Sequence, residues 1–261
     1  MSRDSIDRFG FEMAAVTRVS RLHEWQFTRW IGPLTPADFR GKRVLDAGCG
    51  MGRNSYFALQ YGASQVVAFD CDERTVATAR ATLADFPNAQ VEFRNTYDID
   101  YSDEFDLAMC IGVIEHLEHP EQAIDRLVRS LAPGGTLVVW VYGNDYKIAL
   151  ALVNTLRIVT SRLPPPVLWR LSYLFSIPVY GALKVTGGRS DYFRQLAASD
   201  LRHVHAIVFD QLLPVISRYY DRGSALKLID RPDLTDTAIH HTNGNSWTLV
   251  AIKKPSPAGA L

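Results

Sequence analysis

A glycine-rich turn between a short apolar strand and a helix is the feature that most restricts how this chain can fold. Residues 43–52 read RVLDAGCGMG, so that Gly48, Gly50 and Gly52 fall at alternate positions. Glycines here let the backbone turn tightly and approach a ligand, and the next helix offers unpaired N–H groups at its amino end. The segment predicts a nucleotide-type cofactor site at the end of a first strand.

The glycine spacing and a second strand restrict the cofactor further. A dinucleotide fingerprint needs its third glycine three residues after the second, whereas Gly52 follows Gly50 by two, which disfavours a nicotinamide dinucleotide. The apolar run 65–70, QVVAFD, ends in Asp70, whose carboxylate is placed to hold two ribose hydroxyls. The alternative role for Asp70 is to cap the following helix.

Several motifs resemble those of the class I S-adenosylmethionine-dependent methyltransferases over about residues 41–142. VLDAGCGMG matches the family's first motif, and LAPGGTLVVW at 131–140 resembles its helix-to-fifth-strand motif. The resemblance implies an α/β, Rossmann-like, mostly parallel seven-stranded sheet that binds S-adenosylmethionine and releases S-adenosylhomocysteine. The cofactor-binding residues that it implies are Asp46, Gly48, Cys49, Gly50, Gly52, Asn54, Asp70, Cys71, Tyr97, Asp98, Cys110 and Ile111. Which of Tyr97, Asp98 and Asp100 contacts adenine stays open.

The order of strands and helices predicts four segments. Residues 1–40 form an amino-terminal helical cap, and 41–142 form the cofactor-binding core. Residues 143–235 form a helical lid inserted after the fifth strand, where the acceptor binds, and 236–261 form a hairpin that completes the sheet, followed by a tail. A helix is predicted over 121–131, stopped by Pro133-Gly134-Gly135 before a strand over 136–142. Strands over 236–241 and 246–253 are joined by an Asn-Gly turn.

The insertion has an unusual balance of charge. Residues 147–194 hold seven basic side chains and one acid, Asp191, among many apolar residues. Such a segment serves as a lid, as a contact in a homodimer, or as a surface that docks on an anionic membrane or binds a lipid-like acceptor. A transmembrane span is not expected, because Arg170, Pro178, Gly181 and Lys184 interrupt the longest apolar stretch.

Composition limits the class of partner and the compartment. The chain has zero net charge and a pI of about 7.1, so nucleic acid is not expected as a partner. The amino terminus lacks the pattern of a secretory signal, and the three cysteines do not suggest a disulfide framework. We expect a cytoplasmic protein, with peripheral attachment to a membrane as the alternative.

Two histidines are candidates for a catalytic base. A hydroxyl acceptor must lose a proton when it is methylated, whereas a neutral amine can lose its proton later. His116 follows the fourth strand, where the resemblance places the donor methyl, and His241 ends the predicted sixth strand. Structural roles are the alternatives: His116 as a helix cap and His241 as a support for the hairpin.

The acceptor side of the site is predicted from residue type and position. The predicted acceptor-binding residues are Tyr142, Tyr146, His205 and Asn243. His203 and His205, with Asp210 nearby, have the residue types of metal ligands, but the spacing supplies no convincing third ligand, and no metal is predicted.

These observations predict a methyltransferase that acts on a small molecule, with a hydroxyl oxygen of a secondary metabolite as the preferred acceptor. One alternative is a peripheral membrane methyltransferase with a lipid or quinone-like acceptor, and another is a noncatalytic partner protein that binds S-adenosylmethionine. Cys110-Ile111-Gly112-Val113 stands where an Asn-Pro-Pro-Tyr signature would indicate methylation of a DNA base or of glutamine. Its absence disfavours those acceptors.

Overall fold

A seven-stranded sheet forms the centre of the protein in a computed structural model that describes residues 6–11, 19–188 and 191–255. The strands are β1 (Arg43–Ala47), β2 (Gln65–Asp70), β3 (Ala89–Phe93), β4 (Phe105–Ile111), β5 (Leu131–Tyr142), β6 (Leu234–Thr242) and β7 (Ser246–Lys253). Their order is β3-β2-β1-β4-β5-β7-β6; β7 pairs antiparallel with β5 and β6, and the other pairs are parallel. The predicted α/β fold with a mostly parallel sheet is confirmed.

Helices cover both faces of the sheet and its carboxyl edge. They are α1 (residues 6–11), α2 (Arg21–Trp30), α3 (Arg53–Gln60), α4 (Glu73–Thr82), α5 (Pro120–Ser130), α6 (Lys147–Thr160), α7 (Pro165–Leu171), α8 (Tyr173–Thr186), α9 (Asp191–Ala198), α10 (Leu201–Leu212) and α11 (Arg222–Lys227). Helix α5 supplies Ile124 and Leu127 to a core on one face of the sheet, and α3 supplies Phe57 and Ala58 to a core on the other. Because both faces are covered, the central strands are apolar along almost their whole length.

The junction between α5 and β5 differs from the prediction. Helix α5 ends at Ser130, and β5 begins directly at Leu131, where a strand was predicted only from residue 136. The register shifts here, since Phe105 pairs with Leu131 but Leu107 pairs with Thr136. Pro133-Gly134-Gly135 therefore lies in an irregularity within the strand rather than between two elements.

Strands β6 and β7 form a carboxy-terminal hairpin, in which β6 is longer than predicted. Strand β6 begins at Leu234 and carries a register irregularity between Thr235 and Ala238. Asn243 and Gly244 both have positive φ angles, 57° and 73°, as a tight turn after a twisted strand requires. The turn brings β7 back between β5 and β6 and places Asn243 and Asn245 near the carboxyl edge of the sheet.

The insertion between β5 and β6 folds into helices α6 to α11, and its larger helices stand over the carboxyl edge of the sheet. Helix α6 ends at Thr160, and α7 begins after Pro164 with Pro165 and Pro166 in its first turn, where proline is tolerated. The insertion has its own small core around Leu168, Phe209 and Leu212. Arg8 of α1 binds this region by donating hydrogen bonds to the carbonyl oxygens of Ser161, Leu163 and Leu213. In the described parts of the chain, no helix is both long enough and apolar enough to cross a membrane.

Gly52, which caps α3, gives a stability prediction. Its φ is 83°, and a Cβ atom there would lie 3.2 Å from the Cα of Ala79 in α4. Gly41 is a matched control because its φ is also positive, 73°, and a Cβ there would meet nothing within 4 Å. We expect Gly41→Ala to lower the free energy of unfolding by about 1 kcal/mol and Gly52→Ala by about 2 kcal/mol, because only the second adds crowding to backbone strain. Urea denaturation measures both, and equal losses would contradict the close contact between α3 and α4.

Candidate active site

A single continuous cavity of about 550 Å³ opens at the carboxyl edge of the sheet. The ends of β1, β2, β4 and β5 form its floor, and α6, α8 and α10 form much of its roof. Ligand sites in open α/β sheets lie at this edge because the loops that follow parallel strands converge there. The cavity therefore joins the glycine-rich loop to the helical insertion.

The glycine-rich loop forms a cradle in which a ligand can approach the backbone closely. A Cβ atom on Gly48 would lie 2.5 Å from Cγ2 of Val113, so only glycine fits between the loop and the end of β4. The backbone N–H of Gly50 donates a hydrogen bond to Oδ2 of Asp70 at 3.1 Å, and that of Asp72 donates to Oδ1 at 3.2 Å. These bonds fix the Asp70 carboxylate at the wall of the cavity, where burial raises its pKa to about 6.

Asp46 lies behind the cradle rather than in its wall. It is buried, and Ser55 of α3 donates a hydrogen bond from Oγ to its Oδ2 at 2.6 Å. Burial raises the pKa of Asp46 to about 7. This contact links the end of β1 to the first turn of α3, so that Asp46 positions the loop that carries Cys49 and Gly50 and the helix start that carries Asn54, all of which line the cavity.

The end of the cradle beyond Asp70 is lined by residues that sequence reasoning did not select. Asn95 and Thr96, which follow β3, line the cavity together with Cys71. Tyr97 and Asp98, which the resemblance placed at adenine, point elsewhere: the Tyr97 hydroxyl accepts a hydrogen bond from the backbone N–H of His119 at 3.0 Å, and Asp98 is exposed. Sequence reasoning could have selected Asn95 and Thr96 from their position just after the carboxyl end of β3. Residues at that position lie at the same edge of the sheet as Asp70.

Of the two residues predicted at the end of β4, Cys110 and Ile111, only one lines the cavity. Cys110 is fully buried in the core, whereas Ile111 lines the cavity. Side chains alternate between the two faces of a strand, so adjacent residues of one predicted motif lie on opposite sides of the sheet.

A polar corner lies where the cradle meets α2 and α10. The Arg53 guanidinium is 5.1 Å from the centre of the Trp30 ring, and His23 lies on the same wall. Burial lowers the pKa of His23 to about 3, so this imidazole is uncharged at neutral pH. Within the described residues, several buried atoms that border the cavity have no hydrogen-bond partner, namely Gln26 Oε1, Asn54 Oδ1, His203 Nε2 and Trp140 Nε1. Buried polar atoms are normally paired, so this wall is suited to a ligand with polar groups.

His116 lies where the cradle opens into the insertion. It ends the short 3-10 turn Ile114–His116, and its ring is 4.7 Å from Phe9 and 5.9 Å from Tyr142 between ring centres. Its Nδ1 lies 2.8 Å from the carbonyl oxygen of Ile216. A carbonyl can only accept, so Nδ1 carries the proton and Nε2 keeps a lone pair. Burial also lowers the pKa of His116, which keeps the imidazole in this uncharged, basic form at neutral pH.

Tyr142 and Asp210 add a hydrogen-bonded pair beside His116. The Tyr142 hydroxyl donates to Oδ2 of Asp210 in α10 at 3.0 Å, and burial holds the pKa of Tyr142 well above its usual value. Glu115 lies close by, fully buried, and burial raises its pKa to about 8, so it is protonated at neutral pH. Sequence reasoning missed the contact between Tyr142 and Asp210, because Asp210 lies 68 residues after Tyr142 and no pattern indicated that α10 returns to the site.

The structure does not bring His241 or His205 to the cavity. The Nε2 atom of His241 pairs with Oδ2 of Asp145 at 3.2 Å on the outside of the sheet, where the imidazole is 42% exposed. His205 packs face to face with Tyr173 at 3.6 Å and bonds to Ser176 through Nδ1 at 2.8 Å. Tyr146 and Asn243 do line the cavity, as Tyr142 does.

His203 and His205 both lie on helix α10. Positions two apart on a helix point in different directions, so His203 lines the cavity while His205 faces α7 and α8. Among the residues that the structure describes, no cluster of three or more histidine, cysteine or carboxylate side chains could hold a metal ion.

Comparison with known proteins agrees with this geometry. Residues 44–135, from β1 to β5, match a family model described as a methyltransferase domain. The matching segment contains the glycine-rich loop, Asp70 and His116.

Two curated relatives and one solved structure are similar to this chain. The mitochondrial ubiquinone biosynthesis O-methyltransferase of Dictyostelium discoideum is 30% identical over 38% of this chain and 35% of that protein. The tRNA U34 carboxymethyltransferase of Campylobacter hominis is 32% identical over 47% of this chain and 45% of that protein. The chain thus spans less than half the length of either relative.

The solved structure supports the fold. Magnesium protoporphyrin IX methyltransferase from Synechocystis PCC 6803, with bound SAH, aligns over 90% of this chain and 82% of its own at 16% identity, with a TM-score of 0.51. The strand order, the cradle with its carboxylate and the family match lead to one conclusion. Residues 44–135 of this protein match the methyltransferase-domain family, and the fold is that of the S-adenosylmethionine-dependent methyltransferases.

Proposed function

We propose that this protein transfers the methyl group of S-adenosylmethionine to a hydroxyl oxygen of a small, largely apolar acceptor. The observation that carries the proposal is the position of His116, where the cofactor cradle opens into the insertion. Its Nε2 lone pair is free to take a proton because Nδ1 donates to the Ile216 carbonyl. A hydroxyl acceptor needs such a base, which is why oxygen is preferred to nitrogen or carbon.

The residues of the cradle fit the cofactor. Asp70 supplies a carboxylate for the ribose hydroxyls, and the N-terminal end of α3 with Arg53 is placed for the carboxylate of the methionine part. Asn95 and Thr96 are placed for the adenine, in place of Tyr97 and Asp98. The sulfonium that the cofactor supplies is an already activated methyl donor, so the chain has to align the acceptor and exclude water.

The roles of the remaining residues follow from their contacts. His116 takes the hydroxyl proton as the new oxygen–carbon bond forms, and the hydrogen bond to Ile216 stabilises the resulting imidazolium. Tyr142, fixed by Asp210, orients the acceptor beside His116, and Asn243 is placed to bind a polar group of the acceptor at the edge of the cavity. Phe9 covers His116 from the amino-terminal side and limits the access of water.

The rest of the cavity favours an apolar acceptor body. Helices α6, α8 and α10 line it with Leu150, Val153, Leu183, Ile207 and Val208. Burying a polar group against these side chains would be unfavourable unless that group found a hydrogen bond. This lining, with a net charge of zero, supports a small-molecule acceptor rather than RNA, although one relative is named for its action on tRNA.

Methyl transfer to a panel of acceptors tests the proposal. The purified protein is incubated with methyl-labelled S-adenosylmethionine and with phenols, catechols, aliphatic alcohols, amines and transfer RNA in separate reactions. We expect label on the hydroxyl compounds that carry apolar substituents. Tight cofactor binding without transfer to any acceptor would favour the noncatalytic alternative, and label on RNA alone would contradict a small-molecule acceptor.

The raised pKa of Asp70 predicts a pH dependence of cofactor binding. A protonated carboxyl loses acceptor capacity for a ribose hydroxyl, so affinity for S-adenosylhomocysteine is expected to be full above pH 6 and to fall as the pH drops through about 6. The fall reaches at most about tenfold per pH unit for one titrating group. Calorimetric titration at several pH values checks this, with Asp70→Asn as the control. A slope that persists in Asp70→Asn would assign the dependence to another group such as Asp46, whose pKa is about 7.

A further inference from the structure

Helices α6 and α8 expose apolar side chains on the sides that face away from the protein. On α6, Ile148 is 90% exposed and Leu152 is 62% exposed; on α8, Leu174 is 71% exposed and Val185 is 87% exposed. A surface helix ordinarily turns polar residues to water, so these two helices show the reverse arrangement. Both pack against α10 with their inner sides. We call the outward-facing residues of α6 and α8 the α6–α8 surface.

The charged side chains of the segment that forms this surface have one sign. Residues 147–188 contain five basic side chains and no aspartate or glutamate. Arg157 is buried and donates to the Gln211 carbonyl, and the other four are exposed: Lys147, Arg162, Arg170 and Lys184. An apolar surface flanked by cations matches the interface of a bilayer that contains anionic lipids.

The active-site cavity reaches the protein surface beside these two helices, at a place that we call its mouth. Among the residues that line the cavity, Tyr146, Ala149 and Val179 are themselves exposed. Tyr146 and Ala149 lie at the start of α6, next to the highly exposed Ile148, and Val179 lies in the middle of α8, one turn after Phe175, which is 39% exposed. An acceptor that passes between α6 and α8 therefore crosses an apolar rim.

We propose that the α6–α8 surface docks on the face of an anionic lipid bilayer, with the cavity mouth turned toward the lipid. The docking proposal rests on the proposed function only where it calls the cavity an active site. The docking itself needs neither cofactor nor acceptor. A second copy of the chain is a poorer occupant. In a two-fold contact the cations of one copy would face the same surface of the other copy, in which residues 147–188 offer no carboxylate to pair with them.

Vesicle flotation tests the proposal with the full chain. Vesicles of phosphatidylcholine alone are compared with vesicles that contain about 30% phosphatidylglycerol. We expect the protein to float with the anionic vesicles and to bind the neutral vesicles at least tenfold more weakly. The double variant Ile148→Asp with Leu174→Asp is expected to lose at least tenfold in binding to anionic vesicles.

Val215→Asp is the matched control, because Val215 is an exposed apolar residue, 46% exposed, outside the α6–α8 surface. It should float like the unaltered protein, and titration with S-adenosylhomocysteine should show that all variants remain folded.

Absence of flotation, or flotation of the double variant at the unaltered level, would overturn the proposal. A dimer that the double variant disrupts, seen by sedimentation velocity without any vesicle binding, would overturn it in favour of a second copy. If methyl transfer fails in the acceptor panel while flotation succeeds, the docking surface stands and the proposed function does not.

Discussion

Replacing Asp70 by alanine is expected to weaken the binding of S-adenosylhomocysteine about 100-fold. The carboxylate stands at the cavity wall, held by backbone N–H groups of Gly50 and Asp72, and is placed to accept hydrogen bonds from both ribose hydroxyls. A hydrogen bond to a charged group contributes about 1.5–3 kcal/mol. The loss of two such bonds therefore corresponds to an increase of at least about 100-fold in the dissociation constant. The variant also leaves the Gly50 N–H without its acceptor, which loosens the cradle. Calorimetric titration measures the effect.

Asp72→Ala is the matched control for this prediction. Asp72 lies two residues further along, where it caps α4 by accepting hydrogen bonds from the backbone N–H groups of Arg74 and Thr75. Its loss should lower the free energy of unfolding by about 1 kcal/mol and leave the affinity for S-adenosylhomocysteine nearly unchanged. Equal loss of affinity in both variants would mean that Asp70 acts through local folding and not as a ligand.

Replacing His116 by alanine is expected to reduce turnover by about 100-fold to 1,000-fold, the range typical of a lost general base. The affinity for S-adenosylhomocysteine should change little, because His116 lies beyond the cradle, toward the insertion. The prediction needs an acceptor from the panel, with kcat and the dissociation constant of the product measured separately. Because the pKa of His116 is lowered, the unaltered enzyme should keep its kcat from neutral pH down to below the ordinary histidine pKa.

His241→Ala separates the two histidine hypotheses that the sequence left open. This side chain pairs with Asp145 on the outside of the sheet, so its removal is expected to leave turnover within about twofold, as for most surface changes. Full turnover in His116→Ala would remove the base hypothesis. Loss of turnover in His241→Ala with an unchanged fold would show that the outer edge of the hairpin contributes to the reaction.

The local motifs explain why so much of the cofactor half could be predicted. The glycine spacing, the strand that ends in Asp70 and the Asn-Gly turn each depend on backbone conformation within a few residues, and the structure has the predicted form at each. The structure differs from the expectation where a choice depended on side-chain direction. Tyr97 and Asp98 follow β3, but Asn95 and Thr96, which come before them, form the cavity wall at this place.

The acceptor half could be predicted less well because it depends on tertiary packing. Asp210 reaches Tyr142 only through the path of the inserted helices, which no periodicity in the sequence specifies. His205 was selected by residue type. In the structure α10 packs on α7 and α8, so His205 is buried and contacts Tyr173 and Ser176. The basic and apolar composition of the insertion was visible in the sequence, whereas the exposure of Ile148 and Leu174 required the structure.

Calorimetric titration with S-adenosylhomocysteine, alongside a nicotinamide dinucleotide, tests the central claim most directly. We expect micromolar binding of S-adenosylhomocysteine, a binding free energy of about −8 kcal/mol, with no detectable binding of the dinucleotide. That result would establish the cradle around Gly50 and Asp70 as a site for the methyl donor. Absence of binding, or preference for the dinucleotide, would contradict the assignment of this site.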